Sequence, residues 1–316
     1  MKNKIILLAL YNAIAFACFA QTDMDAIMMG KNQLCIGPAY TNSSWTNYWE
    51  GTLKRNNENL GRVTSQTFSL MGNYGLTDKI NLLFNVPYIK TKASAGTLHD
   101  MSGMQDLSLF VKYMPIEKDF GIGTFSLYTI GGVSLPMSNY VADYLPLSIG
   151  LRSKTASLRL MADYQVNSFF ATASATWVLR DNIQIDRTGY YTTQPVLSNE
   201  VEMPNATTIN LRVGHRSERL IAELVFNNWT THGGFDITRN NMPFPSNKMN
   251  ATSIGVNGKY VIYPKHELAL IGGANTVVAG RNVGQSTNIY GGIFYVVEFA
   301  KRKKKTAKPA AATSVK

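Results

Sequence analysis

The chain has 316 residues, of which 45% are hydrophobic, 16% are charged and 11% are aromatic. This content excludes a largely disordered protein, because enough apolar surface is available for burial. After the N-terminus there is no apolar run of about 18 residues or more, which excludes a bundle of membrane-spanning helices. The 25 glycines, the 16 tyrosines and the alternation of apolar with polar residues indicate an all-β protein.

The positive charge is concentrated at the two ends of the chain. Lys2 and Lys4 lie at the start. Seven further positive residues lie at the end: Lys301, Arg302, Lys303, Lys304, Lys305, Lys308 and Lys316. These nine charges leave only +2 of the net +11 for residues 21–300. No basic stripe, helix-turn-helix or finger pattern crosses that central part, so the sequence predicts no nucleic-acid partner.

The first twenty residues have the layout of a cleavable secretion signal. A positively charged start precedes an apolar stretch over 5–17, and Cys18 and Ala20 are small residues three and one positions before the expected cleavage site. We therefore predict a signal peptide over 1–20. The alternatives are a short buried helix and a lipoprotein acylated on Cys18. Phe19 disfavours the lipoprotein, because a small residue usually follows such a cysteine.

Alternation with a period of two residues is the main structural signal, since successive side chains of a strand point to opposite faces. Over 168–180, for example, apolar residues alternate with Thr172, Ser174 and Thr176. The same rhythm predicts about twelve strands of roughly 10–14 residues, the length of tilted membrane strands. They are expected at 33–49, 62–75, 80–91, 105–114, 121–134, 155–166, 168–180, 206–215, 218–230, 251–263, 266–279 and 287–299.

Short connections alternate with long ones between these strands. The short ones are 76–79, 115–120, 167, 216–217 and 264–265. The long ones are 50–61, 92–104, 135–154, 181–205, 231–250 and 280–286. Barrels of the bacterial outer membrane have short periplasmic turns and long outer loops. An even number of strands would leave both termini in the periplasm.

The pattern therefore predicts a transmembrane antiparallel up-and-down β-barrel over 21–300, in the bacterial outer membrane. Its apolar side chains would face lipid and its polar ones the lumen. The alternative is a soluble barrel or sandwich, which would bury its apolar face. The four tryptophans, Trp45, Trp49, Trp177 and Trp229, lie near predicted strand ends, where membrane barrels carry aromatic girdles.

The predicted lumen face carries charges of both signs. The candidate lumen-lining residues are Lys112, Arg159, Asp163, Arg212, Glu223, Lys259 and Glu298, together with Glu267. A mixture of signs is expected of a water-filled interior and does not indicate a pore that selects strongly for one sign of ion. The alternative is that the charges pair across a narrow lumen and plug it.

Four short motifs follow one another over 70–140 in an order that resembles a known family. They are Gly75-Leu76-Thr77-Asp78-Lys79, Asn85-Val86-Pro87-Tyr88, Gly103-Met104-Gln105-Asp106-Leu107 with Lys112-Tyr113, and Gly132-Val133-Ser134-Leu135-Pro136. This series is similar to that of the outer-membrane transporters grouped as the MetA-pathway-of-phenol-degradation family, with Gln105 in place of a second glycine. The resemblance implies uptake of small, often hydrophobic, molecules. Physical chemistry alone predicts a tight turn at Thr77-Asp78 and a bulge or strand end at Pro87.

The sequence predicts no catalytic residue, no cofactor and no metal site. Its two cysteines, Cys18 and Cys35, form no CxxC pair. The four histidines share no short motif: His99, His215, His232 and His266. An outer-membrane lipid hydrolase would need an activated serine, and no Gly-x-Ser-x-Gly is present.

The predicted function is passage of small solutes, including hydrophobic or aromatic ones, through a barrel whose partners are outer-membrane lipid and the solute. The alternative is a structural barrel that does not transport and anchors a periplasmic partner. In that function the tail 301–316, a predicted disordered periplasmic arm, would bind peptidoglycan or an acidic periplasmic partner. A solvated tail with no partner explains its composition equally well.

Overall fold

The computed structural model describes residues 22–237, 243–263 and 268–299. The predicted signal peptide and basic tail lie outside these residues, as do His266 and Glu267. Within the described ranges no helix is long and apolar enough to cross a membrane.

Twelve antiparallel strands form one closed sheet, as the alternation predicts. They are β1 (Gln33–Trp45), β2 (Val63–Thr77), β3 (Ile80–Ala93), β4 (Asp106–Phe120), β5 (Gly123–Pro136), β6 (Thr155–Val166), β7 (Phe169–Arg180), β8 (Ala206–Arg216), β9 (Leu220–Thr231), β10 (Asn250–Tyr263), β11 (Leu268–Arg281) and β12 (Thr287–Glu298). Each strand pairs with its neighbours in the chain, and β1 pairs with both β2 and β12. The sheet is therefore a barrel whose twelve strands are all paired on both sides.

The two faces of the sheet differ in polarity, and β7 shows this most clearly. Thr172, Ser174 and Thr176 are buried inside the barrel, whereas Trp177 and Leu179 are 63% and 55% exposed on the outside. Other exposed apolar side chains continue this outer surface, among them Leu158, Leu160, Ile209, Leu211, Leu224, Ile254 and Ile289. A continuous apolar exterior of this kind is expected of a barrel that stands in lipid.

The tryptophans do not form the predicted girdle. Trp177 is the one of the four that projects from the outer surface. Trp229 lies under the guanidinium of Arg180 on the inner wall, and Trp49 is buried in a hairpin of the first long loop, which pairs Asn47–Glu50 with Leu53–Asn56. The alternation locates strand ends but does not fix which way an end residue faces once the strand turns into a loop.

β4 ends six residues later than the sequence predicts, at Phe120 instead of 114. Pro115 has no N–H to contribute to the ladder, and the chain was therefore expected to turn there. A register shift between Tyr113 and Ile116 accommodates the proline within the strand.

The connections are short at one end of the barrel and long at the other. We call these the turn end and the loop end. At the loop end, three long connections pack around one apolar cluster made of Ala142, Ile183, Ile185, Val201, Met203 and Phe244. The ring of Tyr190 stacks on that of Phe244 at 5.1 Å, and Arg187 pairs with Asp143 at 2.7 Å. The loops therefore form one packed layer at this end.

Candidate functional site in the barrel lumen

Residues 22–29, which precede β1, lie inside the barrel, and we call them the N-terminal plug. Lys112 of β4 is fully buried and holds this segment from the wall. Its Nζ donates to the backbone oxygens of Thr22, Asp25 and Ile27 at 2.8, 2.7 and 3.2 Å, and to Oδ1 of Asp25 at 3.1 Å. A buried ammonium is thus compensated by one carboxylate and three carbonyl groups, as a charge removed from water requires.

A second inner-wall cation holds the start of the plug. Arg159 of β6 donates through Nη1 to the backbone oxygen of Asp23 at 2.6 Å and to its Oδ2 at 2.8 Å. Its Nε donates to Oγ1 of Thr176 on β7 at 2.6 Å, which fixes the guanidinium against the wall. Two acidic residues of the plug therefore neutralise two cations of the lumen.

Apolar contacts complete the fit between the plug and the wall. Ala26 packs in a buried cluster with Met114, Tyr128, Ile130 and Met161. The hydroxyl of Tyr128 also donates to the backbone oxygen of Ala26 at 3.0 Å. The plug is consequently held both by charge and by packing over its middle.

The Gly-Leu-Thr-Asp motif positions the bend through which the plug enters the barrel. A Cβ atom at Gly75 would lie 2.1 Å from the backbone oxygen of Gly30, so a glycine is required for this close approach. The N–H of Lys31 donates to Oδ1 of Asp78 at 3.0 Å. The N–H of Lys79 donates to Oγ1 of Thr77 at 3.1 Å, which is the local turn that the sequence predicts. The motif thus serves the plug as well as the turn.

The plug separates two cavities along the barrel. The loop-end cavity has a volume of about 340 Å³ and is lined by Asp23, Arg159, Arg180 and Trp229, among others. The turn-end cavity has a volume of about 750 Å³, and its lining includes Ala26, Ile27 and Met28 of the plug. A gap of only about 100 Å³ remains beside the plug. The plug therefore occupies the lumen between the two cavities.

The other predicted lumen charges are neutralised mainly by neighbours on the wall. Arg212 of β8 pairs with Glu223 of β9 at 2.8 Å, and Asn257 of β10 donates to the same carboxylate at 2.7 Å. Asp163 of β6 pairs with Arg216 of β8 at 3.0 Å. Arg216 was not among the sequence candidates, although it continues the inward alternation of Arg212.

Lys259 and Glu298 occupy different environments. Lys259 of β10 is 6% exposed and lines the narrow gap beside the plug. Glu298 is exposed at the turn end, where its Oε1 accepts a hydrogen bond from Nε2 of Gln33 at 2.9 Å. It therefore lies at the exposed rim of the barrel.

Sequence reasoning missed the acidic partners in the plug. Asp23 and Asp25 follow the predicted cleavage site closely, in a chain with only 20 acidic residues, and this was the available signal. It was not decisive, because nothing in the local pattern places a segment before β1 inside the barrel.

The loop residue Tyr140 contacts Asp106, one of the residues that line the loop-end cavity. The hydroxyl of Tyr140 donates to Oδ1 of Asp106 at 2.6 Å and accepts the N–H of Arg152 at 2.8 Å. Burial and the hydrogen bond to Asp106 raise the pKa of Tyr140 above its ordinary value. The phenol therefore remains a neutral donor, and it caps the carboxylate of Asp106.

A second contact fixes a loop to the barrel rim. Arg281 donates through Nε and Nη2 to the carboxylate of Asp236 at 2.8 and 2.5 Å. These hydrogen bonds, with a further one from Asn282, hold the pKa of Asp236 below its ordinary value. The carboxylate is thus ionised at neutral pH and retains the loop. Among the described residues no group of His, Cys, Asp or Glu is arranged to hold a metal ion.

No protein-family model and no curated protein sequence matches the chain. The barrel is similar to the crystal structure of the COG4313 outer membrane channel from Pseudomonas putida F1, at 13% identity and a TM-score of 0.70, with 88% of this chain and 100% of that chain covered. The chain shares the fold of that channel. A weaker similarity relates it to the translocator domain of the autotransporter NalP from Neisseria meningitidis, at 10% identity and a TM-score of 0.45, over 94% and 98% of the two chains.

The first of these similarities confirms the predicted fold class, a closed antiparallel barrel of twelve strands. It does not confirm the resemblance to the MetA-pathway-of-phenol-degradation family, since no model of that family matches.

Proposed function

We propose that the protein is a channel of the bacterial outer membrane for small solutes, and that the N-terminal plug must move before the channel opens. The observation that carries the proposal is the pair of cavities, about 340 and 750 Å³, that the plug separates. A solute-sized space on each side of a short segment is what a closed channel requires. The apolar exterior and the fold shared with an outer membrane channel support the location.

The width of the barrel supports a path for solutes. An eight-stranded barrel is just wide enough for its own side chains, and the diameter grows with the number of strands. A twelve-stranded barrel therefore has room for one further chain or for a small solute. In this structure the plug takes that room at mid-barrel.

The plug is held in a way that permits removal. The plug is held by side-chain hydrogen bonds, two ion pairs and two apolar clusters, one around Ala26 and one that includes Met29, whereas the barrel wall is held by continuous strand ladders. A hydrogen bond to a charged group contributes about 1.5–3 kcal/mol. Opening would thus break a few such contacts and leave the sheet intact.

The nature of the cavities supports small solutes with an apolar body. The loop-end cavity combines apolar side chains, including Phe110, Leu151 and Val178, with several hydroxyl groups. Small-molecule sites are typically lined in this way. We include hydrophobic and aromatic solutes in the proposal for this reason.

We expect the loop end to face the outside of the cell and the turn end to face the periplasm, as in other outer-membrane barrels. A cysteine at Thr193 of the loop end should react with an impermeant thiol reagent on whole cells. A matched cysteine at Glu218 of the turn end should react only after the cells are permeabilised. The native Cys35 is 1% exposed and should give little background. The reverse pattern would show that the barrel is inserted the other way.

The filled mid-barrel also favours a second candidate, a closed barrel that anchors a periplasmic partner and does not transport. Conductance in a planar bilayer separates the two. A channel should show discrete openings, whereas an anchor should remain silent even after the plug has been removed.

The anchoring candidate makes its own prediction for the basic tail, which lies outside the described residues. Deleting 301–316 should leave assembly and heat-modifiable gel mobility unchanged, since every barrel strand is already present without it. The deletion should abolish salt-sensitive co-sedimentation with purified peptidoglycan, because screened Coulomb attraction would be its basis. Equal co-sedimentation with and without the tail would exclude this mode of anchoring.

A further inference from the structure

Arg180, the last residue of β7, differs from the other arginines of the inner wall. Arg159, Arg212 and Arg216 each pair with a carboxylate. Arg180 forms no ion pair, and its buried Nη1 has no hydrogen-bond acceptor in the described protein. Arg180 as a whole is partly exposed, but burial of Nη1 without an acceptor is unfavourable, so an anionic group that reached Nη1 would be stabilised.

The surroundings of Arg180 orient its guanidinium to bind such a group. Its guanidinium carbon lies 5.1 Å from the ring centre of Trp229, within the range of a cation–π contact. That contact covers one face of the guanidinium and leaves the N–H edges for hydrogen bonding. A planar fork with free edges suits the two oxygens of a carboxylate.

The loop-end cavity gives the rest of the ligand a place. Its volume of about 340 Å³ lies within the range of small-molecule sites, roughly 300–1,000 Å³. Apolar side chains, Phe110 and Val178, and hydroxyl groups, Thr155 and Thr208, line it together with Arg180. An organic anion with an apolar body fits this lining better than a simple inorganic ion.

The distribution of the remaining charges limits the ligand to one negative group. Arg159 is already neutralised by Asp23. Asp106 lines the same cavity from β4, three strands from β7, or about 14 Å along the wall. A second carboxylate on the ligand would approach Asp106, so the cavity disfavours dicarboxylates.

We propose that the loop-end cavity binds a small monocarboxylate with an apolar body, its carboxylate on Arg180 and its body against Phe110 and Trp229. The proposal rests on the proposed function, for which it names the class of solute. It makes Arg180 and Trp229 the residues that select that solute at the loop end.

Calorimetric titration of the purified full-length protein in detergent at low salt tests the site, with benzoate and its neutral isostere benzamide as probes. The wild type should bind benzoate more tightly than benzamide by roughly tenfold or more. Arg180→Gln should remove that preference. Arg180→Lys should retain part of it, because lysine keeps the positive charge but lacks the planar, two-pronged guanidinium. Arg219→Gln removes an exposed charge at the turn end and should change nothing.

Each result supports or overturns the site. Equal binding of benzoate and benzamide by the wild type overturns it, and this comparison requires no variant to fold. An Arg180→Gln barrel with normal heat-modifiable mobility and unchanged benzoate affinity also overturns it. Trp229→Leu, which keeps the charge, should weaken benzoate binding, and unchanged affinity removes Trp229 from the site.

Binding in detergent does not depend on conduction. Normal bilayer conductance without benzoate binding would therefore reject the site alone, and binding without conductance even after deletion of residues 22–29 would reject the channel alone.

Discussion

Deleting residues 22–29 should raise the conductance of the barrel several-fold. The plug fills the lumen between the two cavities, and a gap of about 100 Å³ remains beside it. Its removal would join the cavities on its two sides. Single-channel recording in planar bilayers measures the effect directly, with residues 1–21 retained so that the predicted signal peptide is intact.

A second variant removes the negative charge of the plug but keeps its volume, so it tests the two contributions separately. Asp23→Asn with Asp25→Asn leaves Lys112 without a carboxylate, and loss of one partner of a buried pair costs about 3–5 kcal/mol. Because Lys112 is fully buried while the plug is seated, that cost falls on the closed state. We expect more frequent openings, with the same maximum conductance as the deletion.

The matched control is Glu58→Gln with Asp100→Asn, which removes two exposed acidic groups from loop-end connections. It should behave like the wild type. If the deletion conducts no better than the wild type although both conduct, the plug is not the barrier. If neither conducts, the anchoring barrel becomes the better explanation.

Leu160→Arg should destabilise the barrel in its membrane by roughly 2–4 kcal/mol, the cost of a cation on the lipid face near the midplane. Leu160 lies in the middle of β6 and is 57% exposed on the outer surface. Urea unfolding of the barrel in lipid vesicles, followed by heat-modifiable mobility, measures the change. Leu160→Phe keeps the site apolar and should cost much less.

The inward control for this prediction is Ser157→Arg, three positions earlier on β6. Ser157 lines the loop-end cavity, so an arginine introduced at this position would extend into a cavity with polar lining. Met161 is a poor control although it also faces inward, because it is 1% exposed and packs in the cluster that holds Ala26. Equal destabilisation by Leu160→Arg and Ser157→Arg would contradict the assignment of the lipid face.

The strands, their faces and the alternation of loops were predictable from the sequence because each depends on local periodicity. A residue such as Leu160 has polar or inward neighbours at the next positions whatever the rest of the chain does. The closure of twelve strands followed from their number and from the short turns between consecutive pairs. The predicted end of β4 was wrong at Pro115. Whether a strand ends or continues through a bulge at a proline depends on its twist and on its pairing with the neighbouring strands.

The state of the lumen was decided only in three dimensions. The sequence placed Lys112 and Arg159 on an inward face but offered either water or pairing across the lumen as their environment. In the folded chain they bind Asp25 and Asp23, from a segment more than eighty positions away. A period of two residues specifies which way a side chain points and carries no information about what meets it there. Closure of the barrel brings residues that are distant in the sequence into one interior. Only the folded barrel therefore reveals the acidic plug, the unpaired guanidinium of Arg180 and the Trp229 ring next to it.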